Sequence, residues 1–118
     1  MMIDRIPADK ILQSVAESVD GCYGVLLRQG TLEIGYYKPL KVDPQTPHQK
    51  DEIYVVHSGR GSFVINGKCR PFEIGDVFFV PAGTEHCFVD FSDDFGAWAI
   101  LYGPQGGVTE CPSNGLPP

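Results

Sequence analysis

The stretch Gly75-Asp-Val-Phe-Phe-Val-Pro81-Ala-Gly-Thr-Glu-His86-Cys-Phe-Val-Asp-Phe91 decides how the chain is read. Val77 to Val80 is an apolar run of four residues. A membrane-spanning helix needs about 20 apolar residues, and a short strand needs about five. Pro81-Ala-Gly-Thr84 has the residues of a tight turn. His86-Cys-Phe-Val-Asp-Phe91 then leaves that turn as a second apolar strand with a histidine at its start. On a strand alternate residues share a face, so an inward His86 takes Phe88 and Asp90 with it and turns Cys87 outward.

The same punctuation recurs upstream and downstream. Asn66-Gly67 is a strong hairpin signal, because both positions accept positive φ, and it separates Ser62–Ile65 from the chain leading through Pro71 to Val77. Ile53-Tyr-Val-Val-His57 is a β-branched and aromatic strand closed by Ser58-Gly-Arg-Gly61. Tyr23–Arg28 and Thr31–Tyr37 flank Gln29-Gly30 as a further hairpin, and Phe95–Tyr102 is the last apolar strand. Residues 39–47, with prolines at Pro39, Pro44 and Pro47, form a loop. About eight short strands at 8–12-residue spacing indicate an all-β sandwich or barrel. Before them, Asp9 to Val19 carries Ile11, Leu12, Val15 and Val19 at helical spacing, which predicts a short helix or an irregular segment ending near Gly21. The organisation is therefore an N-terminal segment 1–22, a barrel 23–103 and a Gly/Pro-rich tail 104–118.

Composition agrees with one globular domain. The chain has 118 residues, of which 24 are Gly or Pro. That is roughly 20%, against about 12% on average, so many turns are needed. Nine Lys and Arg against 15 Asp and Glu give a net charge of −6, which disfavours nucleic acid and anionic membranes as partners. The N-terminal residues lack an apolar signal core, and a cytoplasmic location is expected. Cys22, Cys69, Cys87 and Cys111 form no Cys-x-x-Cys pair and read as free thiols, three small buried side chains and one in the tail.

Three histidines carry the candidate chemistry. His48 and Glu52 flank the start of one strand, and His86 begins another. If Glu52 points inward, Tyr54 and Val56 do too, and His57 points the other way. Two such strands face to face would gather His48, Glu52 and His86 in an apolar interior. Two imidazoles and one carboxylate on one side of a metal form the facial arrangement that leaves coordination positions open.

Glu52, separated by three residues from His48 and by six from Gly59, resembles the first motif of the cupin superfamily. Gly75, five residues, Pro81-x-Gly83, two residues and His86 resemble the second, and the sixteen-residue step from Gly59 to Gly75 suits a short cupin. The resemblance covers residues 47–90. The stretches Pro47–Tyr54 and Trp98–Gly107 look like a group of short bacterial single-domain cupins. It implies a double-stranded β-helix, the jelly-roll barrel, often a homodimer, with a divalent metal held inside by His48, Glu52 and His86. The pattern departs at Thr46, where the family commonly has a first histidine, and at Asp90, where it often has Asn. The choice among Fe, Mn, Ni and Zn is therefore open, and Gln45, Gln49 or Asp90 are candidates for a further oxygen or a supporting hydrogen bond.

The reading that follows is a small metal-binding cupin acting on a small organic molecule, by dioxygenase, isomerase or lyase chemistry. Tyr54 and Asp90 are the candidate catalytic bases. Trp98, Tyr37, Tyr54, Phe79, Phe88 and Tyr102 are candidates for lining an aromatic pocket. The rival readings are a non-catalytic binding or sensing module and a structural partner protein.

Overall fold

The computed structural model describes residues 4–43 and 47–107. Thr46, Gln45 and Cys111, named above, lie outside the described residues. Among the described residues one short helix, α1 (Asp9–Ala16), precedes eight strands. They are β1 (Tyr23–Gln29), β2 (Leu32–Tyr37), β3 (Asp51–Ser58), β4 (Gly61–Ile65), β5 (Lys68–Phe72), β6 (Val77–Val80), β7 (His86–Val89) and β8 (Gly96–Tyr102). All pairings are antiparallel. The strands form a five-stranded sheet, β1-β2-β8-β3-β6, and a three-stranded sheet, β5-β4-β7. This is the all-β barrel that the strand pattern predicts, in the two-sheet jelly-roll form that the cupin resemblance implies.

The inner faces meet in an aromatic core. Tyr37, Tyr54, Phe63, Phe72, Phe88 and Phe95 are all buried, with ring centroids 4.7–6.4 Å apart for the contacting pairs. Offset and edge-on rings add specific attraction to the area they bury. The five-stranded sheet makes room for them with small residues: Tyr54 on β3 lies opposite Ala99 on β8, and Val56 lies opposite Ala97. The Asn66-Gly67 hairpin forms as the sequence indicates, with φ of 50° and 77° at its two residues. Pro71 is tolerated in β5 because that strand is an edge, where one side of the ladder has no partner to serve.

The helix is shorter than the apolar spacing over 9–19 suggests. Ile11 and Val15 are buried on the outer face of β1 and β2 with Tyr36, whereas Leu12 (60% exposed) and Val19 (fully exposed) face solvent. The helix stops at Ala16 because the next turn has a competing acceptor: Asp20 Oδ1 takes the N–H groups of Cys22 (2.8 Å) and Tyr23 (3.0 Å) and bends the chain into β1. The thiols differ from expectation as well. Cys69 is exposed on β5, and Cys22 and Cys87 are half-buried, so none of the three described cysteines is a core residue. Cys22 packs against the aromatic core from just before β1, and Cys87 lies between the inward His86 and Phe88 on β7. Among the described residues no helix is long and apolar enough to cross a membrane.

The contact of α1 with β1 depends on Gly24. A Cβ there would lie 2.5 Å from the Ser14 carbonyl carbon and 2.6 Å from the Val15 nitrogen, so the helix backbone itself would have to move. Gly24→Ala is expected to destabilise the fold by about 1–3 kcal/mol, as overpacking of a fixed contact does. Urea unfolding of the two proteins measures it, and amide exchange should show α1 loosened while β3, β4 and β8 stay protected.

Candidate metal centre

His48, Glu52 and His86 arrive from three places. His48 sits in the loop before β3, Glu52 is the second residue of β3, and His86 is the first of β7 in the other sheet. The strand parity is as read: Glu52, Tyr54 and Val56 all face the interior. His86 is brought over by the segment 81–85, which crosses from β6 to β7. Side-chain donor atoms of the three residues all lie within 4.8 Å of one another, at one end of the barrel. Glu52 and His86 are buried, and His48 is half-buried.

The tautomers of both histidines follow from their neighbours. His48 Nδ1 lies 2.6 Å from the Lys50 carbonyl oxygen, and His86 Nδ1 lies 2.8 Å from the Thr84 carbonyl oxygen. A carbonyl can only accept, so Nδ1–H donates in each case. In the neutral rings Nε2 is then left with its lone pair toward the cluster. This is the second-layer support that metal-ligating histidines use.

His48 Nε2 approaches Glu52 Oε1 to 2.6 Å, and His86 Nε2 lies 3.8 Å from the same oxygen. Both His48 Nε2 and Glu52 Oε1 are buried, yet neither makes a hydrogen bond of acceptable direction among the described residues. Two buried polar atoms left in that state cost free energy. A divalent cation bound by all three side chains would satisfy them together. The donor set, two imidazole nitrogens and one carboxylate oxygen, suits such an ion, so the residues present fit a metal.

Of the two candidate bases, Tyr54 is at the site and Asp90 is not. The Tyr54 hydroxyl lies 3.2 Å from His86 Nε2 and, with that ring's tautomer fixed, donates to it. Burial, followed by the negative charge of Glu52, pushes the phenol well above its ordinary range. Tyr54 therefore keeps its proton at neutral pH and serves as a donor rather than as the base the sequence suggested. Asp90 is exposed, has φ 51°, and follows the last residue of β7, about 13 Å of extended chain from His86. The left-handed backbone breaks the alternation that would have turned it inward with Phe88. His57 stands on the outer face, as parity indicated, with Nδ1 2.8 Å from the Tyr36 hydroxyl and its ring against Trp98.

The aromatic pocket is a packed interior. Tyr37, Tyr54 and Phe88 fill the barrel beneath the cluster, Trp98 packs edge-on against Tyr36 outside it, and Phe79 is exposed. Access is from the rim. One depression of about 410 Å³ has His86, Glu85, Asp43 and Pro47 in its wall, and another of about 510 Å³ has His48, Gln49, Pro47 and Gln105.

Three acidic residues with roles here were passed over in the sequence. Asp43 accepts the Tyr37 hydroxyl and, at 2.7 Å, the Phe88 N–H, tying the proline-rich loop to β7. Glu85 lines the rim beside His86. Asp51 is buried (5% exposed) and accepts the Ala82 N–H at 2.9 Å. Asp43 has no sequence signal. Asp51 had one, adjacency to Glu52 at a strand start, but strand parity assigns it to the outer face.

A two-sheet antiparallel barrel with two histidines and a glutamate converging at one end places the chain among the small jelly-roll barrel proteins. The Cupin domain family model matches residues 35–97, more than half of the chain, and the chain belongs to the cupin family. An uncharacterised protein of Streptomyces coelicolor is 31% identical over 96 residues, spanning 80% of this chain and 91% of its own. Among solved structures, a Cupin 2 conserved barrel domain protein from Salinispora arenicola aligns with a TM-score of 0.63 at 23% identity, over 87% of this chain and 90% of that one. The DMSP lyase DddQ of Ruegeria pomeroyi aligns with a TM-score of 0.59 at 23% identity, over 78% of this chain and 53% of that one. Likeness at these identities is likeness of fold.

The His48–Glu52 pair predicts opposite responses to pH for stability without an ion and for uptake of one. Burial works to lower the His48 imidazole, but the Glu52 carboxylate 2.6 Å away, the Lys50 carbonyl and the charge of Asp51 outweigh it, and the ring titrates above its ordinary 6.5. A folded value above the unfolded one contributes stability that is complete below 6.5 and is lost as pH rises through the folded value. The chelator-treated protein should thus melt at a higher temperature at pH 6 than at pH 8. An ion needs the Nε2 lone pair, so its affinity should fall by up to about tenfold per pH unit below that value. Thermal scans with and without metal from pH 6 to 8 check both: the apo midpoint should rise on acidification while the metal-induced increment shrinks.

Proposed function

We propose that this cupin binds a divalent metal ion through His48, Glu52 and His86, a two-histidine, one-carboxylate centre, and acts on a small organic molecule at the barrel mouth. The observation that carries this reading is the convergence of one donor atom each from His48, Glu52 and His86 within 4.8 Å, with His48 Nε2 and Glu52 Oε1 buried and facing one another. Fe, Mn, Ni and Zn are the candidate ions; any of them would act as a Lewis acid on a ligand oxygen, and iron could also activate dioxygen. The chain's own residues would do the rest. The packed aromatic interior excludes water from the inner side of the centre. Ligand enters across the rim between the two depressions that Pro47 borders. Tyr54, holding its proton, offers its O–H to a ligand oxygen once His86 Nε2 is engaged.

A second reading, a non-catalytic binding or sensing module, draws support from the same residues. Tyr54 is too firmly protonated to be a base and Asp90 stands away from the cluster, so neither candidate base is available for proton abstraction.

Metal content and affinity test the first reading. The purified native chain should carry or take up about one equivalent of divalent ion, and His48→Ala and His86→Ala should each abolish it. Tyr54→Phe should not weaken the ion. The phenol donates to His86 Nε2 in the apo state, so its removal should raise affinity by about fivefold, the worth of one hydrogen bond of ~1 kcal/mol. Uptake that survives both alanine substitutions would refute the assignment.

A homodimer is part of the proposal. Strand β6 is the edge of the five-stranded sheet, and it turns Val77 (63% exposed) and Phe79 (51% exposed) to solvent. Bare edges of this kind are normally covered or paired. Sedimentation equilibrium should give twice 12.9 kDa for the native chain and a single chain mass for Phe79→Lys, whereas a monomeric native chain would remove the idea.

A further inference from the structure

Asp51 is the point at which three separate segments of the metal centre are fastened together. The ladder between β3 and β6 ends at the pair Glu52 and Val80. The next residue, Pro81, has no N–H to extend it. The two following N–H groups have no ladder partner at the crossing between sheets, and the structure gives each an acceptor at the ligand-bearing entry to β3. Ala82 N–H donates to Asp51 Oδ1 at 2.9 Å, and Gly83 N–H donates to the His48 carbonyl at 2.8 Å. The turn then closes on itself, Thr84 N–H to Pro81 carbonyl at 3.1 Å. The Thr84 carbonyl, so placed, takes the His86 Nδ1–H. Asp51 therefore acts on His86 through a chain of four residues while standing next to Lys50, whose carbonyl orients His48, and Glu52, the carboxylate of the cluster.

The C-terminal segment after β8 meets the same spot. Gly106 N–H donates to the Gln49 carbonyl at 2.6 Å. Gly107 is buried against the Asp51 carboxylate so closely that a Cβ there would lie 2.7 Å from Oδ1. Residues 103–107 thus strap the loop that holds His48, and Asp51 is where strap, loop and turn converge.

We infer that Asp51 is a positioning residue that sets the separation of His86 from His48 and Glu52, and hence the affinity of the centre for a divalent ion. The inference rests on the metal reading above and goes beyond it, because Asp51 is no ligand. Its role is carried by the carboxylate oxygen as a hydrogen-bond acceptor.

Isothermal calorimetry with Mn²⁺ and with Zn²⁺ on the native full chain, Asp51→Ala and Asp51→Asn tests it, with the thermal midpoint of each chelated protein recorded alongside. Asp51→Ala should bind about 10–100-fold more weakly, the usual effect of removing a support behind a ligand, while Asp51→Asn, which keeps the Oδ1 acceptor, should recover most of that loss. A purely structural role would lower the midpoint of Asp51→Ala and leave the affinity of its folded fraction within twofold of native, and that result would overturn the inference. If Asp51→Ala does not fold, Asp51→Ser, whose hydroxyl is too short to reach Ala82 N–H, is read by the same criterion. A native chain that binds neither ion would sink the metal reading itself, which is a different result from native binding that Asp51→Ala leaves intact.

Discussion

Main-chain carbonyls two residues from each histidine constrain everything the cluster can do. Lys50 holds the Nδ1–H of His48 and Thr84 holds that of His86, so both rings present Nε2 to the same small volume. An imidazole without such a partner can flip or change tautomer, and a site built on it would be ill-defined. The two carbonyls belong to the residue just before β3 and to the turn between sheets. Ordering those two segments is therefore what the barrel does for the site. The antiparallel ladders bring the elements to within reach, and the staples at Ala82 and Gly83 set the last ångströms.

The interior supplies the other boundary. In a barrel of this size the space below the mouth is either a cavity or a core, and here it is a core, with Tyr54, Phe63 and Phe88 in mutual ring contact beneath the cluster. Truncating a ring such as Phe88 would cost about 3–5 kcal/mol by leaving a void. The consequence for function is geometric. The barrel axis offers no path below the cluster, and the Tyr54 hydroxyl is the interior polar group that reaches His86. The depression beside His48 is accordingly walled by loop residues, among them Pro47, Gly83 and Gln105.

Much of this was legible in the sequence, and the limits of legibility have physical causes. Strand alternation gave the correct faces for Glu52, Tyr54, Val56 and His57, because a half-buried strand has a period of two wherever its backbone stays extended. The same rule failed for Asp90 where the backbone turned left-handed at φ 51°. It also failed for Asp51, whose burial comes from the turn and the C-terminal segment folded over the strand end rather than from the sheet face. The helix was legible as a helix but not in length, since Leu12 and Val19 satisfy the apolar spacing while Asp20 offers the backbone a better partner than another helical turn. The three metal candidates were legible by type and spacing. That their Nε2 atoms converge was not, because tautomers are set by carbonyls that lie next to the histidines in the fold and carry no side-chain identity.

The apo cluster is best understood as a contest between a proton and an ion for the same lone pair. Glu52 is buried, and a buried carboxylate needs a positive partner close by. Without an ion, the candidate for that role is His48, 2.6 Å away, and the imidazole is held above its ordinary range by this need. An ion held by the three side chains would compensate the carboxylate more strongly and would need the His48 Nε2 lone pair. His86 is held from both sides, its Nδ1–H donating to the Thr84 carbonyl and its Nε2 accepting from the Tyr54 hydroxyl. The turn behind His86 thus carries the geometry, and the His48–Glu52 pair carries the pH response. Substituting His48 should alter the pH response of the centre, and disturbing the support of His86 should alter its affinity at every pH.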